Sequence, residues 1–239
     1  MKHFVGFKSR LSLLISLGIM IIFSNSSFLG IFVNADNLNP GVYSKDSKPF
    51  GIPYEDWLVK HTQWLIQIPS DVHPMNHFTS ERCSTSQSGP VWYLTLNLVG
   101  KEQRTCTIPS DKAILLPILA GFCWDNTLDI ESMTEQELTT CAMEGNEYSV
   151  ISAFVDGKEI KDLKSYRAQS PFFNITVPEN NIFDFKPGFG KGKVDGFFLF
   201  LEPLPPGNHT LHTTTSVFNP ISPEYNYAAT LTYTLIVKP

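Results

Sequence analysis

The sequence predicts a mostly β protein in which two sheets stack as a sandwich, with only two short α-helices. Three observations predict it. Aromatic and β-branched runs recur from Gly89 to the end of the chain. Several of them alternate polar with apolar residues, the mark of a strand with one wet face. Proline, Gly-containing and Asp-Gly signals separate them at short intervals, whereas helical spacing of apolar residues is confined to two stretches.

The chain opens with Lys2, Lys8 and Arg10, then an apolar run from Leu11 to Phe23 and the tripeptide Val33-Asn34-Ala35. A positive head, an apolar core and a small-residue site form the layout of a secretory signal peptide, residues 1–35, cut after Ala35. The rival reading is an uncleaved membrane anchor, because Leu11–Val33 matches the roughly 17–25 residues that cross a bilayer. Ser24, Asn25, Ser26 and Ser27 weigh against it, since polar groups cost free energy in lipid. An uncleaved segment is also the one route by which this chain would meet a membrane. Residues 36–239 are expected to form one β-sandwich domain with a helical segment at 53–68.

Residues 36–53, rich in Asn, Pro, Gly, Ser and Lys, read as a mobile lead-in. Pro53 then opens a helix to about Gln67, and Trp57, Leu58, His61, Trp64, Leu65 and Ile68 fall at helical spacing along one face. Glu55 and Asp56 suit the positive end of its dipole, and Pro69 stops it. Val91–Val99 reads as one strand, and Thr105–Ile108 and Ala113–Leu119 as shorter ones. Pro109 and Pro117 are expected at strand ends or sheet edges. Thr134-Glu135-Gln136-Glu137 fits a capping box, so a second helix starts there, with Leu138, Cys141 and Ala142 facing inward. Tyr148–Val155 meets Asp156-Gly157, a pair suited to a tight hairpin turn, and Lys158–Ile160 returns. Phe172–Val177, Val194–Leu201, His209–Val217 and Ala229–Val237 complete about eight or nine strands, consistent with an immunoglobulin-like or jelly-roll-like β-sandwich. Val194–Leu201 is apolar enough to be covered on both faces. The glycine-rich Gly188–Lys193 reads as a flexible connecting loop rather than a nucleotide site, because it precedes a strand instead of opening a helix.

Composition narrows the function classes. Formal net charge is −5, and loss of the basic leader makes the rest more acidic, so a nucleic-acid partner is not expected. All four cysteines follow the leader, and an even count in an exported chain reads as disulfides, with three connectivities open. Cys83–Cys106 and Cys123–Cys141 are favoured because each closes a short local loop, worth roughly 3 kcal/mol in the chain-entropy model. Absence of CxxC spacing argues against zinc.

The stretches Gly89–Leu94, Cys106–Pro109, Lys112–Ile118, Tyr166–Phe172 and Pro205–His212 resemble a family of exported archaeal and bacterial proteins that has no assigned activity. The resemblance supplies no catalytic residues. The closing Pro206-Gly207-Asn208-His209-Thr210-Leu211 turn and Thr232–Val237 strand resemble the last hairpin of immunoglobulin-like sandwiches, which bears on fold alone.

Catalytic signatures are missing: there is no Gly-x-Ser-x-Gly elbow, no His-Glu-x-x-His and no Walker loop. His73 and His77, with Cys83 close behind, are the weak candidates for a soft metal such as copper. Asp125 and Asp129, in an acidic loop without EF-hand spacing, are the weak candidates for calcium. No cofactor is expected. His209 and His212, three apart on a strand, face opposite sides and cannot chelate together. Asn174 and Asn208 begin glycosylation acceptor patterns. The leading expectation is a non-enzymatic, extracellular or cell-surface binding protein for a polysaccharide or another surface protein. If the ligand is a sugar, Trp57, Trp64, Trp92 and Trp124 are the aromatics to watch. The alternatives are an extracellular carbohydrate-active hydrolase and a copper carrier.

Overall fold

A computed structural model describes residues 38–76, 79–129, 132–220, 223 and 226–239. The expected signal peptide or anchor at 1–35 lies outside the described residues, as do His77 and Glu131. The fold is a β-sandwich of two mixed sheets with two α-helices, as the sequence predicts. Sheet A contains β1 (Val91–Tyr93), β3 (Ala113–Asn126), β8 (Gly188–Leu201) and β6 (Arg167–Gln169) in that order, and β7 (Phe173–Val177) also pairs with β8. Sheet B runs β2 (Gly100–Pro109), β10 (Tyr227–Lys238), β9 (Gly207–Val217), β4 (Ser149–Val155) and β5 (Lys158–Glu159). Two pairings are parallel, β1 with β3 and β2 with β10; the rest are antiparallel.

Sheet A has a core on each face. Ile114, Leu116, Phe197, Leu199 and Leu201 point toward sheet B, where Leu211, Leu231, Leu235 and Val237 meet them. Leu115, Val194, Phe198 and Phe200 point the other way, onto helix α1 (Tyr54–Gln67). This double burial is why Val194–Leu201 is apolar without alternation. Strand β10, covered on one face only, shows the expected alternation instead. Helix α2 (Glu135–Met143) starts at a complete capping box, with Glu137 N donating to the Thr134 hydroxyl and Thr134 N donating to the Glu137 carboxylate. It lies so close to β3 that a Cβ on Gly121 would stand 2.1 Å from the Ala142 carbonyl oxygen.

Both favoured disulfides form, Cys83–Cys106 at a Cα–Cα distance of 5.6 Å and Cys123–Cys141 at 6.0 Å. The first is buried. The second is not: Cys141 lies on the exposed side of α2, and Leu138 and Ala142 alone form the buried face. The bridge needs only that α2 pass beside β3.

Four other expectations change. Residues 94–99 leave the strand begun at Val91, because they cross from sheet A to sheet B. Asn97 bends them, accepting from Val99 N and donating to the carbonyls of Gly100 and Thr230. Buried Arg104 pins the crossing through the Thr95 carbonyl and the Tyr233 hydroxyl. Pro117 lies inside β3, and the register with β8 shifts between Pro117 and Leu119, a bulge of the kind that admits proline. Gly188–Lys193 is the first half of β8, paired with β3 and β7. A Cβ on Gly190 would lie 1.7 Å from the Asp125 carbonyl oxygen, so glycine there serves close packing rather than flexibility. The lead-in is docked: Val42 bridges Leu201, and buried Asn39 bonds Lys161 N and the Tyr166 hydroxyl.

The Asp156-Gly157 turn has φ of 50° and 75°, the two positive angles a tight hairpin of this type requires. No helix among the described residues is long and apolar enough to cross a membrane.

Candidate functional site

A groove of about 650 Å³ runs along the outer side of α1, bounded by the turn at Pro49–Gly51 and the turn at Ser86–Pro90. Its floor is set by helical spacing. Trp57 and Trp64, seven residues apart, pack inward on Phe200 and Tyr93, with ring centroids 5.7 and 5.4 Å away. Lys60, Gln63 and Gln67 lie beside them at spacings that keep one flank of the helix polar. Ser86 and Ser88 add exposed hydroxyls to the lining.

Each tryptophan braces one wall. The indole N–H of Trp57 donates to the Pro49 carbonyl at 3.1 Å, and that of Trp64 donates to the Thr85 carbonyl at 3.2 Å. The residue following each of these carbonyls has positive φ: Phe50 at 55° and Ser86 at 53°. Among the described residues, the other non-glycine positions with positive φ are Asp156, Asp162 and Asp184. Aspartate adopts that region at little cost, because its short side chain bonds locally, whereas for phenylalanine it is an outlier. The two least tolerant of these residues therefore line one groove. Phe50 is 47% exposed, its ring edge-on to Tyr43 and Trp57 at 6.4 and 6.1 Å.

The wall bearing Ser86 is itself held. Gln87 donates to the carbonyls of Cys83 and Tyr93 and accepts from Tyr93 N, while Cys83 is tied to β2 through its disulfide. Burial pushes the Tyr93 phenol up to about 12, so it stays a neutral hydroxyl. The groove lining thus includes an exposed aromatic face, two amides (that of Gln63 already donating to the Asn174 carbonyl), two serine hydroxyls, the Tyr93 phenol and one ammonium. No carboxylate or histidine is among the described residues lining it.

The four tryptophans do not form one platform. Trp57 and Trp64 are 3% and 8% exposed, and their rings are spent on packing. Trp92 is buried in the core between the sheets. Trp124 is half buried far along β3. Phe50 and Ser86 escaped sequence reasoning; the usable signal was Lys60, Gln63 and Gln67 repeating on α1 next to the tryptophan stripe.

The metal candidates do not converge. His73 is fully buried, its Nε2 donating to the Leu65 carbonyl at 2.9 Å and its Nδ1 accepting from Met75 N at 3.1 Å, so neither nitrogen is left for an ion. Burial holds its pKa below the ordinary value, which keeps the ring neutral. Asp125 accepts from Met133 N and Ser132, and Asp129 pairs with Lys186. Among the described residues there is no group of three His, Cys, Asp or Glu that could hold a metal. His209 bonds Asp156 and His212 bonds Thr232, on separate partners. Asn174 and Asn208 are both exposed on strands.

No family model matches the chain, and no curated protein matches it. A solved structure of PbICP-C in complex with falcipain-2 aligns at 11% identity with a TM-score of 0.23, covering 61% of this chain and 98% of that one.

Proposed function

We propose that this chain is an exported, non-enzymatic binding protein whose groove along α1 takes a segment of a polysaccharide. The observation that carries the reading is the pair of unfavourable backbone conformations, at Phe50 and Ser86, in two residues that line one groove. Such conformations persist where surrounding structure enforces them, and they cluster at ligand sites. The chemistry supports sugar: the Phe50 face suits stacking, and Gln63, Gln67, Ser86 and Ser88 match hydroxyls without demanding charge. Two disulfides and the N-terminal leader pattern support a working place outside the cytoplasm.

The test is a glycan array probed with the oxidised chain, followed by titration of any hit. Binding should fall at least about tenfold in Phe50→Ala, which removes the stacking face, and stay unchanged in Trp124→Phe. Absence of saturable glycan binding, or a Phe50→Ala variant that binds as well as the parent, rejects the proposal.

A further inference from the structure

A second cavity, of about 200 Å³, lies between the opposite flank of α1 and sheet A. Leu65, Ile66, Met75, Phe122 and Phe198 give it apolar walls. Two polar side chains of α1, His61 and Thr62, also line it. His61 is 1% exposed, and its Nε2 lies 2.8 Å from the Leu94 carbonyl. A carbonyl can only accept, so Nε2 carries the ring's proton. Burial lowers the pKa of His61 to about 4, so the ring is neutral and Nδ1 is a bare acceptor. Neither Nδ1 of His61 nor the Thr62 hydroxyl has a hydrogen-bond partner among the described residues.

Nδ1 therefore remains available to a donor that enters the cavity. A dry apolar cavity of about 150 Å³ already accepts benzene, so this one has room for a substituted ring. Half-exposed Leu98 lines both this cavity and a neighbouring cleft of about 490 Å³, which supplies a way in.

We propose that this cavity is a binding site for a small monocyclic apolar molecule bearing one hydroxyl, a phenol or cyclic alcohol, whose O–H donates to Nδ1 of His61. Thr62 lines the same cavity. The inference is independent of the groove on the far flank of α1, because no residue lines both spaces.

The experiment uses the intact, disulfide-bonded chain and two matched probes, 4-fluorophenol and fluorobenzene, followed by fluorine NMR and calorimetry. Both should bind saturably, the phenol roughly threefold to tenfold tighter, the range one net hydrogen bond supports. His61→Leu should erase that preference. Because His61→Leu removes a buried bond to Leu94 and could fail to fold, Ala120→Leu provides a second variant. It fills the cavity wall from sheet A and should abolish binding of both probes with the circular dichroism spectrum unchanged. Failure of both probes to saturate, which would mean a cavity holding water only, overturns the proposal. Equal affinity for the two probes also overturns it, as does binding that survives Ala120→Leu.

Discussion

Replacing Phe50 by alanine and, separately, by glycine isolates the backbone strain on which the groove reading depends. Both variants lose the ring and its contacts with Tyr43 and Trp57, so those terms cancel in the comparison. At an ordinary position glycine is the less stable choice by roughly 0.5–1 kcal/mol, because its unfolded chain has more freedom to lose. At Phe50, with φ 55° and ψ 28°, alanine must still bear the roughly 1–2 kcal/mol that a Cβ costs in the left-handed region. Glycine does not. The balance places Phe50→Gly about 0.5–1 kcal/mol above Phe50→Ala, an inversion of the usual order. For a chain of this size that corresponds to about 1–4 °C in melting temperature. Urea denaturation at fixed pH, read by tryptophan fluorescence, measures the difference from the two midpoints at equal slope. A Phe50→Ala variant as stable as Phe50→Gly, or more stable, refutes the claim that the turn is strained. Ligand binding should be lost in both, since relief of strain does not restore the ring.

Three further outcomes follow from the packing and the charges. Gly121→Ala should lose about 1–3 kcal/mol, the range for overpacking, because the new Cβ meets the Ala142 backbone; a denaturation midpoint equal to the parent's would place α2 elsewhere. Asp195→Ala should cost roughly 1.5–3 kcal/mol, the range for hydrogen bonds to a charged group, because it strips part-buried Arg167 of a carboxylate 2.8 Å away, leaving it Glu147, and strips Asn146 of another bond; a loss below 1 kcal/mol, on the scale of an exposed pair, would mean that the pair is solvated. His209 titrates above its ordinary value: burial opposes the charge, but the bonds to Asp156 and to the Pro205 carbonyl outweigh it. Asp156 titrates below its ordinary value, since its bonds from His209 and Thr210 N outweigh burial. The histidine's stabilisation is therefore full below its unfolded pKa near 6.5 and fades as pH rises through the folded one, while that of Asp156 fades as pH falls below about 4. Stability should drop between pH 6 and 8 by more in the parent than in His209→Gln, and parallel profiles would exclude the pair as the cause.

What was legible in the sequence was what local rules decide. The capping box at Thr134–Glu137 needs residues only three apart, and the Asp156-Gly157 turn only two. Cys123 and Cys141 could be paired because they close a short local loop, 18 residues apart. Long-range events were not legible. Leu94, Leu96 and Leu98 alternate like a strand, yet the chain must change sheets between β1 and β2, and the buried Arg104–Tyr233 contact that fixes the crossing joins residues far apart in sequence. The run at Gly188–Lys193 carries a loop's composition because three strands meet there at close quarters, and close approach demands glycine as strictly as flexibility does.

The tryptophans show why the groove itself was hidden. A buried indole N–H usually finds a partner; that of Trp92 finds none among the described residues, but in Trp57 and Trp64 the partners are carbonyls in the two turns that frame the groove. Meeting that demand makes the indoles braces and takes their faces out of solvent. The exposed aromatic role passes to Phe50, which has no polar atom to satisfy and gains nothing from the surface. Full burial of a phenylalanine is worth roughly 1.5–3 kcal/mol, so a side chain left 47% exposed forfeits on the order of 1 kcal/mol, and the left-handed backbone adds to that. A stability criterion alone would replace Phe50 with asparagine or glycine. Its persistence at that φ is explained if the ring is used by something outside the fold, and a ligand in the groove recovers both terms at once.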